Sequence, residues 1–198
     1  MRSRDSDPDV PVPVSDRVTA RPGLRWYPSV AAARLAGPPL PREATFWLTL
    51  EGSLTRALRQ RCRERFAVHI ITEGFQTPAR DERRRLDLPE RQVAWVREVQ
   101  LCGDGRPWVL ARTVFPLSTL NGPERRLRHL GRQPLGAFLF RDGRWQRDPF
   151  EAGVIQGTPR HDPRLARRSC FRAGEERILV SEFFYGRLLD HHHERFNP

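Results

Sequence analysis

The chain has 198 residues and a formal net charge of +11, from 35 basic and 24 acidic side chains. Those 35 are all arginine; lysine is absent. That excludes a Schiff-base lysine, a lysine general base and the Walker phosphate loop, each of which needs an amine. The length suits one domain with a core of its own. A hydrophobic content of 38% with 18 prolines implies that part of the chain does not pack.

A pI near 11.2 raises the question of nucleic acid. The arginines, however, are interleaved with acids, as in Asp81-Glu82-Arg83-Arg84-Arg85 and Pro123-Glu124-Arg125-Arg126. This composition reads as a solvated surface rather than a phosphate-binding stripe, so nucleic acid is not expected as a partner. Cys62, Cys102 and Cys170 are odd in number and far apart, which describes neither a disulfide framework nor a zinc site. The N-terminus lacks the apolar stretch of a signal peptide, and no apolar run approaches ~20 residues. A cytoplasmic protein without membrane insertion is expected.

In chain order, residues 1–24 are proline-rich and charged and predict a loosely attached leader. Trp26, Tyr27, Val30, Leu35 and Leu40 follow as scattered anchors. A helix is predicted from Arg42 through Phe46, Trp47 and Leu50. Ser53 then caps a second helix over 54–65, with Leu54, Leu58, Cys62 and Phe66 along one stripe. At Ala67 the period changes to two, predicting a strand over 67–72. Residues 76–91 are polar and read as a loop. Strands 93–102 and 108–117 flank Gly103-Asp104-Gly105, a strong hairpin signal. Pro123 opens a helix ending at Gly131, and a shorter helix covers 134–140. Strands are predicted over 144–152, 166–172 and 177–185. Helices and strands in this order predict an α+β domain, with a mainly antiparallel sheet, over residues 25–186. A tail follows over 187–198.

Three charges conflict with this pattern. Arg97 shares a strand face with Val93, Trp95, Val99 and Leu101. Glu182 shares one with Ile178, Val180 and Phe184, and Arg112 one with Leu110 and Val114. Alternation therefore points all three inward. A buried charge requires a partner. One reading is a structural ion pair with Glu182. The other is that Arg97 and Arg112 hold an anion, since the planar guanidinium meets a carboxylate with two parallel hydrogen bonds. Elsewhere the signals are weaker. His191-His192-His193-Glu194 reads as a solvated tail, His69 as a strand residue and Asp104 as a turn former.

Two stretches carry a resemblance. The first is Trp95-Val-Arg97-Glu98-Val-Gln-Leu-Cys102-Gly-Asp104-Gly105-Arg-Pro107-Trp108. The second is Ala111-Arg112-Thr113-Val-Phe-Pro116-Leu-Ser118-Thr119-Leu120-Asn-Gly122-Pro123-Glu124. With Pro134-Leu135-Gly136 and Ser181-Glu182-Phe183, they resemble the bacterial chorismate pyruvate-lyase family. The resemblance implies a six-stranded antiparallel sheet with helices covering an internal ligand site. It implies conversion of chorismate to 4-hydroxybenzoate and pyruvate for ubiquinone biosynthesis, without cofactor or metal, by a monomer. It matches Arg97 to the residue gripping the ring carboxylate and Glu182 to the acid at the opposite end of the ring. Leu54 and Leu135 match residues offering backbone N–H groups, and Arg112 is placed at the enolpyruvyl carboxylate. The same fold occurs in effector-binding domains of transcription regulators, which leaves a non-catalytic carboxylate sensor as the alternative.

Overall fold

Among the described residues eight strands pair antiparallel throughout in one sheet, in the spatial order β1 (Leu24–Tyr27), β6 (Glu151–Ile155), β7 (Pro163–Ala173), β8 (Glu176–Tyr185), β4 (Arg106–Pro116), β3 (Ala94–Gly103) and β2 (Phe66–Gln76), with β5 (Gln146–Arg147) also on β7. In this computed structural model residues 23–37, 39–40, 42–121, 123–141, 143–156 and 163–190 are described. The leader up to residue 22 and the His191–Glu194 cluster lie outside them. The helices are α1 Val30–Ala36, α2 Arg42–Thr49, α3 Leu54–Arg61, α4 Arg80–Leu86, α5 Leu117–Leu120, α6 Leu135–Leu139 and α7 Gly186–Asp190, with a 3-10 segment over Pro123–His129.

The mixed class and the antiparallel sheet are as expected; the strand count of six is corrected to eight. The predicted 144–152 strand is two short strands, because Pro149 has no N–H to give the ladder. The other addition is β1, which pairs with β6 from Leu24↔Ile155 to Tyr27↔Ala152. The stretch predicted as a polar loop contains α4. Only Glu82 and Leu86 of this helix are buried, so its inward face carries a charge that conceals it from apolar periodicity. Glu82 also accepts the backbone N–H of Ala79 at 2.8 Å, closing the first turn. Ser53 caps α3 as predicted, its hydroxyl accepting the N–H of Arg56 at 3.3 Å. The helix stops at Arg61, where Cys62 turns extended. Beyond β8, α7 brings Leu188 into the core, fully buried.

The hairpin between β3 and β4 fixes which side chains of β4 face which side of the sheet. Asp104 and Gly105 take φ of 52° and 72°, the left-handed values of a tight two-residue turn. A Cβ on Gly103 would lie 2.2 Å from the Trp108 ring, so the indole packs where only glycine leaves room. Between Leu101↔Val109 and Cys102↔Pro107 the register slips, leaving Trp108 as an extra residue in β4. The Asp104 carboxylate reaches back to accept the N–H groups of Arg63 and Glu64 and the Cys62 thiol, at 2.8–3.1 Å, tying the turn to the end of α3. Partial burial pushes its pKa up, but these hydrogen bonds outweigh that and lower it to about 2.

One face of the sheet carries two apolar clusters. The first gathers Trp47, Leu48, Leu58, Trp108, Phe184 and Leu188; the second gathers Phe115, Leu127, Phe138, Trp145, Phe171 and Ile178. The opposite face packs Val96, Val114, Cys170 and Leu179 against Leu86 of α4.

Candidate active site

Between the two clusters lies a cavity of about 680 Å³, counting its mouth. Its floor is a single sheet face. Register places Arg97 opposite Thr113, Thr113 opposite Val180, Ala111 opposite Glu182, and Glu182 opposite Arg167, and all of these line the cavity. Its cover is the first turn of α3 (Ser53, Leu54, Thr55) and α6 with its approach (Pro134, Leu135, Gly136, Phe140). The two covers meet, since a Cβ on Gly136 would come within 3.5 Å of Ser53 Oγ. Leu54 and Leu135 are each the first residue of their helix, where backbone N–H groups lack an intrahelical acceptor.

The charged side chains of the wall are Arg97, Arg147, Arg167 and Glu182. Arg97 is 2% exposed. Its Nε donates to Glu73 Oε1 at 2.6 Å, and Nη2 donates to the carbonyls of Gly131 at 2.5 Å and Gln133 at 3.4 Å. It thereby holds the loop leading into α6. Arg167 is 1% exposed and donates from Nε to Glu182 Oε2 at 2.5 Å. Its Nη1 donates at 2.8 Å to the carbonyls of Trp47 and Leu50, fixing the end of α2 that leads into α3. The Phe150 ring lies between two cations, 4.3 Å from Arg147 and 4.2 Å from Arg167.

Of the five residues singled out from sequence, Leu54, Arg97, Leu135 and Glu182 come together here. Arg112 does not, and that expectation is corrected. It lies on the opposite face, where its Nε and Nη2 donate to Glu82 at 2.8 and 3.0 Å and its Nη1 to Glu98 at 2.8 Å. Burial alone pulls its pKa down, but the hydrogen bonds and charges of Glu82 and Glu98 more than reverse this and hold it raised. Arg112 does share a buried face with Leu110 and Val114, but both faces of β4 are buried and theirs is the one away from the cavity; the bulge at Trp108 sets which face that is. With an unbroken ladder from the Asp104-Gly105 turn, Arg97 would face Arg112; with one extra residue it faces Thr113. The structural ion pair weighed for Glu182 does exist, and its partner is Arg167.

Arg147 and Arg167 were missed. Both faces of the predicted 166–172 strand carry an arginine, Arg167 and Arg168, so alternation gives no preference there. Arg147 sits beside the Asp148-Pro149 break that divides its predicted strand. Among the described residues no three His, Cys, Asp or Glu side chains cluster as metal ligands, and no helix is long and apolar enough to cross a membrane.

One antiparallel sheet carrying a helix-covered, arginine-walled cavity defines a class of single-sheet α+β domains. In fold alone the chain is similar to the effector domain of PhnF from Mycobacterium smegmatis, with a TM-score of 0.50 over 69% of this chain and 90% of that one at 15% identity. The profile of the chorismate lyase family matches residues 35–193, and the chain belongs to that family. It is 55% identical over 167 residues to a probable chorismate pyruvate-lyase of Marinobacter nauticus, covering 84% of this chain and 89% of the relative. It is 41% identical over 138 residues to the chorismate pyruvate-lyase of Cronobacter sakazakii, covering 70% and 78%.

Proposed function

We propose that this protein is a chorismate pyruvate-lyase, cleaving chorismate to 4-hydroxybenzoate and pyruvate in the cytoplasm, as a monomer, for ubiquinone biosynthesis. The observation that carries the reading is the spacing of charge within one covered cavity, in a chain of this family. Arg97 stands at one end of the floor, Glu182 lies two strands away and its partner Arg167 three. Neighbouring strands are about 4.8 Å apart, so these groups bracket a six-membered ring with polar groups at positions 1 and 4.

In this reading Arg97 grips the ring carboxylate with charge-assisted hydrogen bonds, and the N–H groups of Leu54 and Leu135 complete its shell. Glu182 meets the oxygen at ring position 4. The C–O bond between ring position 3 and the enolpyruvyl group breaks, the hydrogen on the neighbouring position 4 passes to the enolpyruvyl methylene to give the methyl of pyruvate, and the ring becomes aromatic with its position-4 hydroxyl kept as the phenol. This transfer is internal to the substrate and needs no protein base. The protein's task is to hold the side chain over the ring and to stabilise charge on the departing oxygen. Val99, Leu101, Leu139 and Phe171 line the rest of the cavity, keeping the local dielectric low.

The test is incubation of purified protein with chorismate, following 4-hydroxybenzoate by ultraviolet absorbance and pyruvate by a coupled reduction. Equimolar products are expected. Tight binding of 4-hydroxybenzoate with no turnover at any enzyme concentration would instead establish a carboxylate-binding module.

A further inference from the structure

We propose that Glu73 is a positioning residue for Arg97 and limits how firmly the site holds the ring carboxylate, an inference that rests on the lyase reading. Glu73 belongs to β2, the edge strand beside β3. Between Ile70↔Val99 and Thr72↔Glu98 the register slips, leaving Ile71 as an extra residue in β2. Without that bulge Thr72 would stand opposite Arg97; with it Glu73 does, on the same face of the sheet. Its carboxylate accepts the Nε–H of Arg97 at 2.6 Å. Arg97 lines the cavity and Glu73 does not, so Glu73 acts on a ligand through Arg97.

The other donors of Arg97 divide between protein and cavity. Nη2 is held by the carbonyls of Gly131 and Gln133, and Nη1 has no partner among the described residues. Nη1 is therefore the nitrogen left for a ligand, and Glu73 together with the two carbonyls fixes its direction. A carboxylate bound there shares one guanidinium with the carboxylate of Glu73. The two like charges repel, so Glu73 weakens the same grip that it aims. The ring carboxylate is common to chorismate, the transition state and 4-hydroxybenzoate. A tighter hold on it lowers KM without speeding the chemical step, and it keeps the product in the cavity longer. Glu73 restrains that uniform binding.

The test compares two ligands by calorimetry: 4-hydroxybenzoate and its uncharged isostere 4-hydroxybenzamide. Glu73→Gln keeps an acceptor for Nε and removes the charge. It is expected to tighten 4-hydroxybenzoate about tenfold and to change 4-hydroxybenzamide by less than about threefold. In turnover, KM for chorismate and the inhibition constant of 4-hydroxybenzoate should fall together, with kcat not raised. Glu73→Asp, which keeps the charge, should stay within about threefold of wild type for both ligands. A purely structural ion pair gives the opposite sign, because a loosened Arg97 binds both ligands more weakly. Weaker or unchanged binding of 4-hydroxybenzoate by folded Glu73→Gln, or equal tightening of both ligands, overturns the proposal. If Glu73→Gln does not fold, Glu73→Met, of similar length and without charge, is read by the ratio of the two affinities, which should shift towards 4-hydroxybenzoate. Wild-type protein that turns over chorismate while no variant separates the two ligands sinks this inference alone; wild-type protein inert towards chorismate sinks the lyase reading and this inference with it.

Discussion

Replacing Glu82 by alanine removes the main partner of a buried cation on the face of the sheet opposite the cavity. Arg112 is 5% exposed and Glu82 1%. Removing one partner of a buried pair costs about 3–5 kcal/mol. Glu98 remains on Nη1, which places this case near the lower figure. Loss of the contact with the Ala79 N–H adds about 1 kcal/mol. The sum, about 4 kcal/mol, is a large share of the ~5–15 kcal/mol that holds a domain folded. With a urea slope of about 2 kcal/mol/M, the midpoint should fall by about 2 M. The double variant Glu82→Leu/Arg112→Met should recover most of the loss, because no unpaired charge is left. It should bind 4-hydroxybenzoate as the wild type does, since neither side chain lines the cavity. A midpoint change below about 0.5 M for Glu82→Ala would refute the energetic argument. Lost ligand binding in the folded double variant would refute the placement of Arg112.

Arg97→Ala and Glu182→Gln should each abolish turnover and weaken 4-hydroxybenzoate by at least tenfold with circular dichroism unchanged; full activity in either would remove that residue from the site. The Asp104 carboxylate is lowered to about 2 from its ordinary 3.8. Its stabilisation is therefore complete above pH ~4 and is lost as pH falls towards 2. The difference in urea midpoint between wild type and Asp104→Asn should be constant from pH 5 to 7 and shrink below 4; a pH-independent difference would show that charge is not the cause. Gly103→Ala forces the Trp108 ring aside, with an expected loss of about 1–3 kcal/mol and a shift in tryptophan emission. Unchanged stability and emission would count against the close packing.

Much of the site was legible because strand alternation is a strict rule. Arg97 and Glu182 interrupt apolar stripes, and both line the cavity. The α3 cap was legible for a similar reason, since a serine ahead of apolar residues four apart has one natural reading. Arg112 shows where local reading stops. Both faces of β4 are buried, so a charge in an apolar stripe marks burial without saying on which side. Helix α4 was hidden because its inward residue is Glu82, whose partner Arg112 is 30 positions away. Arg147 and Arg167 carried no local signal, and only the pairing of β5, β7 and β8 brings them to Glu182.

The extra residue at Trp108 has a consequence for length variation in this protein. Hairpin tips are usually where chains tolerate insertion and deletion. Here one residue more between the turn and Arg112 moves Arg112 over to face Arg97 and turns Thr113 away from the cavity. Glu82 and Glu98 are then stranded without their cation while two like charges meet on the floor. No point substitution nearby repairs both faults, because every side chain beyond the slip has changed sides. The hairpin is thus the origin from which positions in the neighbouring strand are counted, and its length is as constrained as the identity of any residue in the wall.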